Sequence, residues 1–249
     1  MRRLRGLLIT DPAIVLATIV YGTVSVLAAL FDKTGVIPMR VARAWGRFLL
    51  AVSGVRVRVE GLEHIDPNGS YVFVSNHLSY MDTPVVLSHV PGQFRFLAKR
   101  GLFQIPLLGT HLSQAGHIPV PRGDPRAAVK TMQVAAETIA NKRISLLIFP
   151  EGGRSHDGKL RPFKEGAVYI AVKAGVPIVP MTLIGTRDVL PFGGGVVLPG
   201  KVTLRVLPPI DTSTLTLKDR GKVTEEIREL ILKQLSGETA PANSSHALR

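Results

Sequence analysis

Residues 12–31, from Pro12 to Phe31, form a run of 20 residues without a charged side chain. As a helix such a run spans roughly 30 Å, the thickness of a bilayer's hydrocarbon core. Few helices of a water-soluble core are this long and this free of charge, so the run dictates what the first quarter of the chain can become. Basic residues flank it on both sides: Arg2, Arg3 and Arg5 before, and Lys33, Arg40, Arg43 and Arg47 after. This symmetry gives no orientation by the positive-inside rule. A second segment, Val41 to Val52, is amphipathic. Arg40, Arg43 and Arg47 recur at three and four residues, and Trp45, Phe48, Leu49 and Val52 are apolar at similar spacing. The expectation is a two-helix element that lies on or dips into one leaflet, with a true span as the next reading. A cleaved signal peptide fits least well, because the apolar run exceeds the usual length and no small-x-small site follows.

Charge supports a membrane surface over nucleic acid. The 249 residues carry 31 Lys plus Arg against 18 Asp plus Glu, a net charge of +13. Such an excess calls for a polyanionic partner: nucleic acid, an anionic membrane or a phosphorylated small molecule. Residues 1–60 hold nine of the basic residues and only Asp11, Asp32 and Glu60 as acids. Cations beside long aliphatic runs suit an anionic leaflet, whereas a nucleic-acid surface would interleave them with aromatics. No nucleic-acid partner is therefore expected. The chain has no cysteine, which excludes disulfides, zinc ribbons and a thiol nucleophile.

Beyond Val55 the pattern is that of an α/β domain. Val55 to Glu60 alternates apolar and charged residues, as a half-exposed strand does. Tyr71 to Ser75, Ile144 to Phe149, Ile178 to Ile184 and Val202 to Leu207 read as further strands. Thr83 to His89, Pro125 to Asn141, Glu165 to Ala174 and Thr224 to Leu235 read as helices. Alternation of the two predicts a mixed, largely parallel sheet covered by helices on both faces. The expected division is 1–54 for the membrane-associated helices, 55–235 for an α/β domain and 236–249 for a disordered polar tail.

Chemistry in such folds collects in the loops after strand ends, and three loops are chemically rich. The first holds Asn76, His77, Ser79 and Asp82. A histidine can take a proton from an alcohol near neutral pH, and a carboxylate on its other nitrogen fixes the tautomer. Five residues of helix turn about 500°, so His77 and Asp82 meet only if His77 precedes the helix and Asp82 opens it. The second loop reads Phe149-Pro-Glu-Gly-Gly-Arg154, followed by Lys159, Arg161 and Lys164. Gly152 and Gly153 permit close approach to the backbone, Arg154 offers a fork suited to phosphate, and Glu151 can orient Arg154 or bond a substrate hydroxyl. In the third region Lys99 and Arg122 end apolar stretches and are candidate phosphate ligands. Taken singly, each feature has a plainer reading: a capped helix, a polar loop, ordinary surface cations.

Together they match a pattern. Asn76-His77-x-Ser79-x-x-Asp82, Phe149-Pro-Glu-Gly-x-Arg-Ser155 and Val176-Pro-Ile-Val-Pro180 resemble successive motifs of the glycerophospholipid acyltransferases. Lys99 with Ile105-Pro-x-x-Gly109 and Arg122 resembles the motif between the first two. The bacterial 1-acylglycerol-3-phosphate acyltransferase group is the most similar, over about Val55 to Pro209. The resemblance implies acyl transfer from acyl-CoA or acyl carrier protein to a lysophospholipid hydroxyl, with phosphatidic acid as product and no cofactor or metal. It makes His77 the general base and Asp82 its partner. Arg154, Lys99 and Arg122 become ligands of the acceptor phosphate, and Asn76, Ser79, Glu151 and Gly152 join the substrate site. It implies membrane localisation with the site on the cytoplasmic face. Gly153 departs from the pattern, where the family usually has Thr, and acceptor specificity is what that departure touches. An acceptor such as glycerol-3-phosphate or another lysolipid, and a non-catalytic lipid-binding relative, remain open alternatives.

Overall fold

The computed structural model describes residues 2–121 and 123–237. Arg122 and the predicted tail from 238 onward lie outside the described residues. The chain opens with α1 (Arg2–Arg5), a π-helical turn (Gly6–Thr10) and α2 (Asp11–Ala28), which run on without interruption. Next comes α3 (Val36–Ser53), bounded by Gly35 and Gly54 at φ of 78° and 68°, backbone that glycine adopts without steric penalty. The remaining elements are β1 (Val55–Glu60), β2 (Val72–Ser75), α4 (Asp82–His89), β3 (Phe94–Lys99), α5 (Leu108–Gln114), β4 (Ile118–Val120) and α6 (Pro125–Lys142). They are followed by β5 (Ser145–Ile148), α7 (Gly166–Ala174), β6 (Ile178–Ile184), α8 (Thr186–Val189), β7 (Gly200–Val206) and α9 (Arg220–Leu235).

The strands form one sheet in the order β1-β7-β6-β2-β5-β3-β4. β6, β2, β5, β3 and β4 are mutually parallel, while β7 runs antiparallel to β6 and β1 follows β7. This is the mixed, largely parallel sheet that the alternation of strands and helices predicts. Every residue of β2 and β5 is buried, so their unbroken apolar runs are those of strands covered on both faces. Side chains alternate between two cores. Phe73, Leu147 and Val179 pack with α3 and α4 on one face. Val72, Val74, Leu146 and Ile148 pack with α6, α7 and α9 on the other. Boundaries moved where packing outweighs local pattern. α3 begins at Val36 rather than Val41, and α9 at Arg220 rather than Thr224. The 94–120 stretch, read as apolar patches and turns, contains β3, α5 and β4; β3 buries the charged Arg95, which breaks its pattern, and α5 and β4 are too short to show a periodicity of their own.

Arg3–Ala28 is long and apolar enough to cross a membrane by length and composition, yet its inner side is fastened to the domain along its length. A Cβ on Gly6 would come within 2.2 Å of Val196. Asp11 accepts the Val197 N–H (3.3 Å), Thr18 Oγ1 accepts the Trp45 indole N–H (3.1 Å), and Ser25 Oγ bonds His111 Nδ1 (2.7 Å). On its other side Leu4, Leu8, Val15, Leu16, Ile19, Val24 and Leu27 are exposed. One feature of α3 departs from the expected basic face. Arg43 turns inward, donating to the carbonyls of Leu87, Val90 and Gly92 at 3.2, 2.7 and 2.5 Å, and lies over the Phe94 ring. It satisfies carbonyls at the end of α4, which leaves Arg40 and Arg47 as the exposed cations of that row.

The Ser25–His111 contact makes the N-terminal packing acid-sensitive. Burial lowers His111 from 6.5 to about 4, because an imidazolium there would lose its hydration. A histidine lowered on folding takes up its proton in the unfolded chain first. Stability is therefore unaffected above about pH 6.5 and falls as pH drops from there toward 4. Each ten-fold change in proton affinity is worth about 1.4 kcal/mol, so the loss reaches about 3 kcal/mol once both states are protonated. Denaturant midpoints at pH 7.5 and pH 4.5 should separate less in His111→Gln than in the wild type; equal separation would remove His111 as the source.

Candidate active site

The site assembles where the sheet's connections diverge. From β2 the chain crosses over β5 to β3, and from β5 it crosses back over β2 to β6. The loops after β2, β5 and β6 therefore converge at one end of the sheet, the place where open α/β sheets hold ligands.

The first loop spans residues 76–81, between β2 and α4. Asp82 is the first residue of α4, where the unpaired amides of a helix start favour a carboxylate. Its Oδ2 accepts N–H groups from Leu78 and Ser79, both at 2.8 Å, and bonds His77 Nδ1 at 2.7 Å. The five-residue spacing thus closes as a turn, with His77 just outside the helix. The Asp82 side chain is fully buried and that of His77 is 18% exposed. A proton on Nδ1 follows from this bond, which leaves Nε2 as the basic nitrogen. The imidazole lies flat on Phe149 (centroids 4.1 Å apart, planes at 15°), so its plane is fixed as well as its tautomer.

Glu151 ties the first loop to the second. It is 4% exposed. Oε1 accepts the His77 N–H (2.6 Å) and Oε2 accepts the Arg161 N–H (3.0 Å). Burial pushes its carboxyl up from the ordinary value, while the N–H groups of Arg161 and His77 pull it down. With both oxygens accepting, the ionised form satisfies the site. The Ser155 N–H returns a bond to the His77 carbonyl (3.0 Å), so the two loops are stitched on both sides of the histidine. Gly152 sits at φ 71°, and a Cβ there would come within 3.1 Å of the Lys164 ammonium. Arg154 lies over Tyr80 (3.4 Å from guanidinium carbon to ring centroid) and near Phe192 (4.7 Å), which itself packs on His156. Tyr80, on the loop between His77 and Asp82, is 65% exposed, so Arg154 stands at the surface against that loop.

Asn76 and Ser79 are fully buried. The Asn76 carboxamide makes paired bonds with the Leu183 backbone on β6, at 2.9 and 2.8 Å. Ser79 Oγ donates to the Leu190 carbonyl (2.7 Å) and accepts the Met81 N–H (3.1 Å). Both side chains are spent on backbone and hold the loop. Lys99 is exposed at the end of β3, two strand spacings or about 10 Å from β2. Sequence reasoning did not single out Phe149, Tyr80 or Phe192 as partners. For Tyr80 the signal was its place between His77 and Asp82.

The acyltransferase family profile matches residues 56–184, the span that holds all of these loops except the one after β6. The chain is 34% identical over 201 residues to the 1-acyl-sn-glycerol-3-phosphate acyltransferase of Limnanthes douglasii, covering 81% of this chain and 71% of that one. It is also 34% identical over 194 residues to the human 1-acyl-sn-glycerol-3-phosphate acyltransferase alpha, covering 78% and 69%. The crystal structure of the 1-acyl-sn-glycerophosphate acyltransferase PlsC from Thermotoga maritima superposes with a TM-score of 0.80 at 27% identity, covering 98% of this chain and 100% of that one. That similarity extends over the N-terminal helices as well as the sheet. From its motifs, its sheet and these relatives, the chain belongs to the glycerophospholipid acyltransferase family and is an acyltransferase.

Proposed function

We propose that the chain transfers an acyl group from acyl-CoA or acyl carrier protein to the sn-2 hydroxyl of 1-acylglycerol-3-phosphate, giving phosphatidic acid. The observation that carries this reading is the bond from His77 Nδ1 to a fully buried Asp82. It gives a partly exposed imidazole one free basic nitrogen and a fixed plane. Nε2 takes the proton of the acceptor hydroxyl as its oxygen attacks the thioester carbon. The carbonyl π electrons move to oxygen and then re-form C=O as the C–S bond breaks. The thiolate leaves and takes the proton back from His77. Asp82 stabilises the imidazolium in between. The acceptor itself is the nucleophile, so the scheme uses no acyl-enzyme, cofactor or metal.

Arg154 is the residue we assign to the acceptor phosphate, with Lys99 as a more distant cation and Arg122 outside the described residues. A guanidinium stacked on Tyr80 keeps its N–H edge free for phosphate oxygens. Arg154→Ala should raise the acceptor KM at least ten-fold while kcat changes much less. Tyr80→Ala, which removes only the stack, should raise KM about three- to ten-fold. Steady-state kinetics in both substrates reads this; an unchanged KM in Arg154→Ala removes the phosphate role.

The exposed apolar side of α2, backed on its whole length by protein, supports a helix embedded in one leaflet with the domain beside it. The α2–α3 pair would then bring the mouth of the site to the headgroups, on the cytoplasmic face where both donors are found. An acceptor series tests the assignment. kcat/KM for 1-acylglycerol-3-phosphate should exceed that for 1-acylglycerol, lysophosphatidylcholine and glycerol-3-phosphate, with products identified by mass. Preference for an acceptor without a phosphate monoester would overturn it.

A further inference from the structure

The 100–108 segment joins the candidate site to α2 and presents apolar side chains that are partly open to solvent. It leaves β3 at Lys99 and carries Leu102, Ile105 and Leu108 at 37%, 45% and 38% exposure, with Arg100 exposed beside them. Three large aliphatics within seven residues form a patch, which marks a contact surface more often than scattered single residues do.

The segment is also held in place by a strained turn. The Leu108 N–H donates to the Pro106 carbonyl at 2.7 Å, and Leu107 between them has φ 65° and ψ −55°. A γ-turn of this hand is rare for a residue with a Cβ and persists only where its surroundings impose it. Here the turn sends the Leu107 side chain onto α2, above Gly22, where a Cβ would come within 2.9 Å of Leu107 Cδ2. One turn further along each helix, Ser25 bonds His111. Ile19, one turn before Gly22, and Leu30, two turns after it, are exposed, so the segment meets α2 at the border of its exposed apolar side.

We infer that the 100–108 segment is a second lipid-contacting element, seated in the same leaflet as α2, with Leu102, Ile105 and Leu108 among the acyl chains and Arg100 at anionic headgroups. The occupant is a bilayer because the segment is fastened to α2 at the border of its exposed apolar side and carries a cation, Arg100, beside its aliphatics, the composition of a membrane-surface element. The inference rests on the membrane reading above and adds a function to it. The segment begins at Lys99, so its seating fixes the height of the site's rim above the acyl chains, where a lysolipid would leave the leaflet.

The absence of cysteine permits single labels on the full chain. Ile105→Cys, Leu16→Cys and Val129→Cys, the last on α6, are each labelled with an environment-sensitive fluorophore. They are then mixed with phosphatidylcholine–phosphatidylglycerol vesicles with and without brominated acyl chains. The expected result is a blue shift and loss of fluorescence to brominated lipid at 105 and 16, with neither at 129. Quenching at 16 without quenching at 105 overturns the inference and leaves the membrane role of α2 standing. No quenching at either position overturns both. A blue shift at 105 that grows with protein concentration without vesicles assigns the patch to a second copy of the chain, and likewise overturns the inference. The double variant Ile105→Ser/Leu108→Ser should weaken vesicle partitioning on the order of ten-fold, with turnover of a short-chain, water-soluble acceptor unchanged. Unchanged partitioning contradicts the inference.

Discussion

In His77→Ala, kcat/KM for acyl transfer to 1-acylglycerol-3-phosphate should fall by roughly a thousand-fold, within the range that a positioned general base supplies. The protein stays folded, because the lost ring packs mainly on Phe149 at a partly exposed position. Asp82→Asn separates orientation from charge. Leu78 and Ser79 both direct N–H groups at the position of Oδ2, so the asparagine oxygen is drawn there and still accepts from Nδ1. What is lost is the negative charge facing the imidazolium. Its rate should therefore lie between those of wild type and His77→Ala. Rates measured beside melting temperatures decide the matter. Near-wild-type turnover in His77→Ala removes the mechanism.

The second large effect belongs to Glu151. Its two oxygens accept backbone N–H groups from two loops. A carboxamide has one oxygen and an NH2 group, so Glu151→Gln sets a donor against a donor. Losing a hydrogen bond to a charged acceptor and burying the unpaired group costs about 2–3 kcal/mol. Activity should drop at least a hundred-fold, because the His77 backbone is one of the two anchors. The diagnostic is the pairing of a lowered melting temperature with lowered kcat. If Glu151 served only by touching the glycerol, stability would stay at the wild-type value while the acceptor KM rose.

These two residues differ in how legible they were. The His77–Asp82 partnership follows from the spacing and the geometry of a helix start, and both ends of it are side chains. The Glu151 clamp joins a side chain to backbone amides 74 and 10 residues away, and a backbone amide has no letter in the sequence. The same holds for Asn76, whose partner is the Leu183 backbone 107 residues on, and for Ser79, which bonds the Leu190 carbonyl. Asn76 is a polar residue beside the proposed base, which suggests a substrate contact; in the fold it is completely buried and its carboxamide bonds β6. Strands with continuous apolar runs were legible because burial on both faces leaves no room for polar residues. β3 was not, because it buries a charged Arg95 that reads as a surface residue, and α5 and β4, of seven and three residues, take their form from neighbours in the fold. The inward turn of Arg43 belongs to the same class. Its spacing with Arg40 and Arg47 suggested a common basic face, and only the end of α4 explains why one of the three leaves it.

The central claim is acyl transfer to the sn-2 oxygen under His77, and one measurement addresses it most directly. Purified protein is given 1-acylglycerol-3-phosphate and an isotopically labelled acyl donor, and the product is fragmented in a mass spectrometer to locate the label. The account predicts phosphatidic acid labelled at sn-2 with the wild type and almost none with His77→Ala. Label at another position, or the same yield from both proteins, would contradict it.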